Sequence, residues 1–402
     1  MKEGFQLPGE LRKVYPIVVK SFICDAPARA LIKGITQFNG TFGCDHCEVE
    51  GTYQNHRMLF HGVGPQRTDE RFRKQTNKGH HKSDSILCEL EIDMIKQFPI
   101  EPMHCVDLGV ARRMLCMWKT GPKPHKLSEG QLSILSVQHC SFQSFFPRDF
   151  NRKPRSLKDL NMWKATEFRT FLLYTGPIIL RGILPSHKYD HFMCLSCAMR
   201  ILYSAKLTSD YKSYAHQLLE CFIDNACVLY CDQLLTYNFH CLLHLADIAE
   251  QNQSLQSITA YPFENNMGSI KRLINGPSKP LVQVARRLLA RRFRRPATKT
   301  MTGMPRKDEC YELQNGQFAL IHSIEKESQR VFAEIFPTLV NLFEKPCESR
   351  VVGIYRADTS PMRTKMAHLC FKDLKSRALC IPLSLMKPDE VNSAAVISLL
   401  HT

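Results

Sequence analysis

From Pro102 to about Leu289, apolar residues recur every three or four positions, the spacing that puts them on one side of a helix. Val106, Leu108, Val110, Met114 and Leu115 fit one helix. Residues 157–173 fit another, with Ser156 as its N-cap and Trp163, Phe168, Phe171 and Leu172 near helical spacing. Residues 188–204, 211–229 and 237–250 extend the series, and Pro147, Pro154, Pro177 and Pro185 punctuate it. No repeat of fixed period runs through the region.

On either side the pattern changes. Residues 15–25 form a β-branched run that ends on Asp25, which predicts a buried strand delivering an acid to a sheet edge. Pro27 then suits the first turn of a helix. Residues 34–43 read as a loop and 52–85 as a polar, irregular connector. At the other end, 318–322, 351–355, 378–383 and 395–400 read as short strands of a small β-rich unit. Residues 297–309, poor in apolar side chains, read as a linker. The predicted organisation is therefore 1–101, a helical region 102–296, the linker, and 310–402.

Composition narrows the setting. The chain has 402 residues with 54 Lys and Arg against 38 Asp and Glu, a formal charge of +16. A surplus of that size suits a polyanion, because each neutralised phosphate releases counterions. Double-stranded DNA is one such partner, a basic but unspecialised surface is the alternative, and the charge alone does not decide between them. The densest basic run is Arg286, Arg287, Arg291, Arg292, Arg294, Arg295 and Lys299, preceded by Lys271 and Arg272. Almost no acids alternate with these arginines, so DNA-backbone contact and nuclear localisation are both consistent with it. The 17 cysteines could suggest disulfides, but Lys2, Glu3, Glu10, Arg12 and Lys13 stand where a secretory leader needs an apolar core. Cys194, Cys197, Cys221 and Cys227 lie in apolar stretches, as reduced thiols do. No apolar run reaches the ~20 residues of a membrane span.

Several constellations can carry chemistry. Two-metal phosphodiester cleavage needs carboxylates converging on Mg²⁺. Asp25 is one candidate and Glu264, in Tyr261-Pro-Phe-Glu264, is another, although each alone also reads as a helix-terminal acid. Cys44-Asp-His-Cys47 is half of a zinc knuckle, and its completing ligands are sought among His56, His80, His81 and His104. The alternative is a pair of unliganded thiols. Glu101-Pro-Met-His104 places an acid and an imidazole three residues apart. His240 and His244 stack at i, i+4, a spacing that suits a metal, a phosphate or a satisfied core pair.

These strings together resemble a family. Phe22-Ile-Cys-Asp-Ala-Pro-Ala-Arg-Ala, Gly43-Cys-Asp-His-Cys, Phe98-Pro-Ile-Glu-Pro-Met-His-Cys-Val-Asp-Leu-Gly, Trp163-Lys-Ala-Thr-Glu-Phe-Arg, Asn238-Phe-His-Cys-Leu-Leu-His and Tyr261-Pro-Phe-Glu-Asn are similar to animal proteins derived from CACTA-type cut-and-paste DNA transposases. The resemblance runs from about residue 15 to the C-terminus. It implies an α/β fold with a large all-α insertion, that is, a truncated RNase H-like core interrupted by helices, with a β-rich C-terminal unit. It also implies that Asp25 and Glu264 are the second and third carboxylates of a Mg²⁺ site, and that Glu101 and His104 form the family's acid-x-x-His pair, where Asp is usual. Zinc on Cys44, Cys47, His80 and His81 completes the expected set. Residues 1–24 contain no Asp to serve as the first carboxylate. The expectation is a nuclear, DNA-associating derivative, possible as a homo-oligomer, that performs no strand transfer alone. The alternatives are an active nuclease within a longer product, or a protein-interaction module.

Overall fold

In a computed structural model of the chain, residues 5–6, 14–15, 18–292 and 309–400 are described, apart from the side chains of 5, 6, 291 and 292. The fold is mixed: a large helical region followed by an antiparallel sheet. Two short strand pairs come early, β1 (Phe5–Gln6) with β2 (Val14–Tyr15) and β3 (Thr52–Gln54) with β4 (Arg57–Leu59). The helices are α1 (Ala26–Lys33), α2 (Asp69–Arg73), α3 (Arg112–Thr120), α4 (Glu129–Ser141), α5 (Ala165–Thr170), α6 (Gly176–Ile179), α7 (Ser186–Tyr203), α8 (Ala205–Leu229), α9 (Tyr237–Cys241), α10 (Leu245–Gln251), α11 (Tyr261–Lys271) and α12 (Pro280–Arg292).

Of the expected strand over 15–25, only Tyr15 among the described residues lies in a strand, the two-residue β2. Residues 18–25 carry no regular structure, and Val18 is 84% exposed. A β-branched run makes a central strand only when both faces are covered, and here they are not. Pro27 does sit in the first turn of α1, and Gly34 ends that helix in the left-handed conformation (φ 66°).

The helical region matches its pattern in outline and departs from it in detail. Val106 to Leu115 lies in one continuous helix, but its first part, Met103–Ala111, is wound in wide π turns. Residues 157–173 divide into a 3₁₀ segment (Leu157–Met162), α5, and a second π segment (Phe171–Thr175). Ser156 caps that first segment, accepting from Lys158 N at 3.1 Å. Helix α7 is the axis of the molecule. Every residue from His191 to Tyr203 is buried, as expected of a helix that is apolar nearly all round. Helix α8, kinked at Tyr211, packs along it.

The C-terminal unit keeps its expected span but holds more strands than the four the sequence implied. Its strands are β5 (Cys310–Leu313), β6 (Phe318–Glu325), β7 (Arg330–Phe336), β8 (Leu339–Asn341), β9 (Ile354–Asp358), β10 (Lys365–Cys370), β11 (Leu374–Pro382) and β12 (Ser393–Ser398). They form a curled antiparallel sheet in the order β10-β7-β6-β5-β11-β12-β9-β8. Val331 and Ala333 of β7 pack with Ala319 and Ile321 on one face, while Phe336, Phe318 and Val396 pack on the other. Leu342, Val352, Ile354, Leu379, Ile381 and Ile397 continue into the core formed by the helices. Arg200 of α7 pins the junction. It donates to the carbonyls of Val352 (2.6 Å), Leu173 (2.8 Å), Ser398 (3.0 Å) and Gly353 (3.4 Å).

Candidate metal centre and acidic site

The knuckle at Cys44–Cys47 lies on a turn after Gly43, and both thiols are buried. The histidines that reach them are not the expected ones. His240 comes from α9 and His244 from the 3₁₀ turn that follows, and both rings face the two sulfurs. The Cys44 Sγ to Cys47 Sγ distance is 3.6 Å, Cys44 Sγ to His244 Nε2 3.5 Å, Cys47 Sγ to His240 Nε2 3.4 Å, and His240 Nε2 to His244 Nε2 3.2 Å. Four donors held about 2.0–2.3 Å from a zinc ion form a tetrahedron with edges of about 3.3–3.8 Å. Four of the cluster's edges, at 3.2–3.6 Å, come close to these dimensions, and it can bind a metal such as zinc.

Its surroundings suit that task. His240 Nδ1 is 3.1 Å from the Gly62 carbonyl, which orients the ring so that Nε2 faces the sulfurs. Burial works against ionisation of Cys44, yet the Cys47 thiol and nearby backbone N–H groups bring its pKa down. The same contact pushes the Cys47 thiol up. Between the cysteines, Asp45 is fully enclosed. It takes the Arg29 Nε at 2.6 Å, the Tyr237 hydroxyl at 3.2 Å and the Lys33 ammonium at 3.6 Å. Burial would raise its pKa, but Arg29, Lys33 and His46 hold it well below the carboxylate range. Helix α1 thereby locks the knuckle to α9.

His80 and His81 do not serve the knuckle. His80 is buried with its Nδ1 2.7 Å from the Phe42 carbonyl, and burial first of all drives its pKa down to about 3. His81 packs its ring edge-on against Phe72 at 4.7 Å. His56 and His104 also lie outside the cluster. The true partners were visible as an i, i+4 pair, but nothing in their local pattern ties them to cysteines 193 or more positions away.

The acids meet elsewhere. Asp25 is the N-cap of α1, accepting from Ala28 N at 2.8 Å. Glu101 is buried. Its Oε1 accepts from His104 N (2.7 Å) and lies 2.5 Å from His104 Nδ1, and its Oε2 accepts from Met103 N (2.9 Å) and Ala260 N (3.2 Å). Ala260 opens α11, so this carboxylate ties the π segment to the helix that carries Glu264 in its exposed first turn. His104 responds to all three acids. Its bond to Glu101 raises its pKa, burial opposes, and the charges of Glu101, Asp25 and Glu264 raise it further. Glu101 spends its lone pairs on N–H groups, and Asp25 engages one oxygen as a cap. Mg²⁺ demands near-octahedral oxygen ligation, for which these carboxylates are an incomplete set.

Of the basic residues, Lys271, Arg272 and Arg286 are exposed, while Arg287 donates to the Leu273 carbonyl. The side chains of Arg291 and Arg292, together with Arg294, Arg295, Lys299 and the linker up to 308, lie outside the described residues. No helix among the described residues is long and apolar enough to cross a membrane.

Residues 283–397 match a family described as a domain of unknown function (DUF8592). The match begins inside α12 and ends in β12, covering most of the sheet and neither cluster described above. No curated protein and no solved structure matches the chain.

Proposed function

We propose that this chain is a transposase-derived, nuclear, DNA-associating protein that performs no strand transfer by itself, with zinc held by Cys44, Cys47, His240 and His244 as a structural pin. The fold that accompanies it is an RNase H-like core interrupted by helices. The observation that carries the proposal is that Glu101, bonded to His104, also accepts from Ala260 N at the head of the helix bearing Glu264, and that the charges of Asp25 and Glu264, 239 positions apart, both raise the pKa of that imidazole. These are the positions that the CACTA resemblance assigns to the acidic site. The +16 charge and the exposed cations of α11 and α12 supply the affinity for phosphate.

Binding to a labelled duplex at rising salt tests this reading. A log–log slope of several units, reduced by about one for each of Lys271→Ala and Arg286→Ala, is expected. A slope near zero would refute it. Mg²⁺-dependent cleavage by the purified chain, abolished by Asp25→Asn, would replace it with the nuclease alternative. For the pin, one zinc per chain that is lost in Cys44→Ser is expected, and a metal-free wild type would remove it. The protein-interaction alternative draws on α12, where Leu281, Leu288 and Leu289 are exposed. Salt-independent DNA behaviour would favour it.

A further inference from the structure

A cavity of about 240 Å³ opens against the first turns of α11, the helix that carries Glu264. Tyr261 and Asn265, which flank Glu264 in the first turns of α11, form one side of it. Phe150 and Tyr174 supply further aromatic wall, and Thr166 and Asn265 supply neutral hydrogen-bonding groups. Arg152 stands among the lining residues as an exposed cation. Among the described residues, the side chains of Thr166, Asn265 and Arg152 make no hydrogen bond.

The buried Arg169, also in the wall, is already committed. Its guanidinium lies 4.1 Å from the centre of the Tyr203 ring and 5.6 Å from that of Tyr261, and it donates to Gln256 Oε1 at 2.6 Å. Tyr261 is fixed in turn by its hydroxyl bond to Asp107 Oδ2 at 2.8 Å. The arginine therefore holds a tyrosine wall in place and is not a bare cation awaiting a phosphate.

We propose that this cavity receives a single unpaired nucleobase from a DNA strand lying along α11. Flat aromatic walls stack a ring, and uncharged amide and hydroxyl groups read its edge. The volume admits one base and excludes a duplex. Arg152 is placed to meet the backbone of the same nucleotide. Since Tyr261 and Asn265 stand on the same turns of α11 as Glu264, a base seated here holds its strand along the helix that carries that acid. The inference rests on the DNA-associating reading, and it concerns where the strand is held, not whether it is cut.

The test compares the full chain on two duplexes, one fully paired and one with a single mismatch, each titrated at several salt concentrations. Extracting a base costs least where pairing is already broken. The mismatched duplex should therefore bind about 10-fold more tightly. Thr166→Trp, which fills the cavity from one wall, should abolish the preference while leaving matched-duplex affinity and salt slope unchanged. The exposed Asn265→Ala should reduce the preference and serves as the milder variant if Thr166→Trp misfolds. Equal affinity for both duplexes, or a preference that survives these variants, overturns the base site while DNA association stands. Absence of any salt-dependent binding overturns both.

Discussion

Asp107 offers a sharp test of how the π segment is held against α11. It is fully buried. Its Oδ2 accepts from the Tyr261 hydroxyl, while its Oδ1 has no hydrogen-bond partner among the described residues. Burial pushes its pKa up to about 7, against the opposing pull of Arg169 and Tyr261. The folded state therefore binds this proton more tightly than the unfolded chain does. The associated stability is fully present below the unfolded value near 4 and is lost as pH rises through about 7. At about 1.4 kcal/mol per pH unit, a gap of about three units amounts to about 4 kcal/mol. Asp107→Asn keeps an oxygen for Tyr261 and removes the ionisation. Its denaturation free energy, measured in urea at pH 5, 6.5 and 8, should exceed that of the wild type by about 4 kcal/mol at pH 8, with a margin that narrows toward pH 5. Parallel curves for the two proteins would show that Asp107 is not held protonated, and the reasoning would fail.

Other expectations follow from the same geometry. Chelating the metal from the zinc-loaded chain should lower its melting temperature, and acidification should release the metal because protons compete for cysteine and histidine ligands. Metal analysis and thermal melts check both. Arg200→Met should cost about 4 kcal/mol, since each buried carbonyl left without a donor costs about 1–3 kcal/mol. Hydrogen exchange should accelerate in β12 first. Glu101→Gln should lower the His104 pKa, because the accepting carboxylate is what raises it. An NMR titration of that imidazole showing no change would contradict the assignment.

How much of this was legible in the sequence depended on the range of the interaction. Helical periodicity between 102 and 289 was sufficient because most of those helices bury a face that repeats locally. The polar edge strand β10 was missed because half of its residues meet solvent. β7 was missed although Val331 and Ala333 alternate inward. Asp25 was placed on a strand because Val18 and Val19 suggest one, but the residue's short side chain instead caps α1, which was the plain alternative for an isolated acid. Both halves of the metal centre were visible as motifs. Joining them required tertiary packing, and proximity in sequence favoured His80, whose ring the Phe42 carbonyl holds elsewhere. The ion pair of Arg29 with Asp45 and the stacking of Arg169 on two tyrosines have no local signature at all.

The helices and the curled sheet share one interior, and this affects how the chain can be divided. A fragment spanning 283–397, the stretch delimited by the family match, would carry Ile354, Leu379, Ile381 and Ile397 without α7 to cover them. Such a fragment should precipitate or recruit detergent when produced alone. Its boundaries would then trace a line of descent through the molecule and not a seam along which it comes apart.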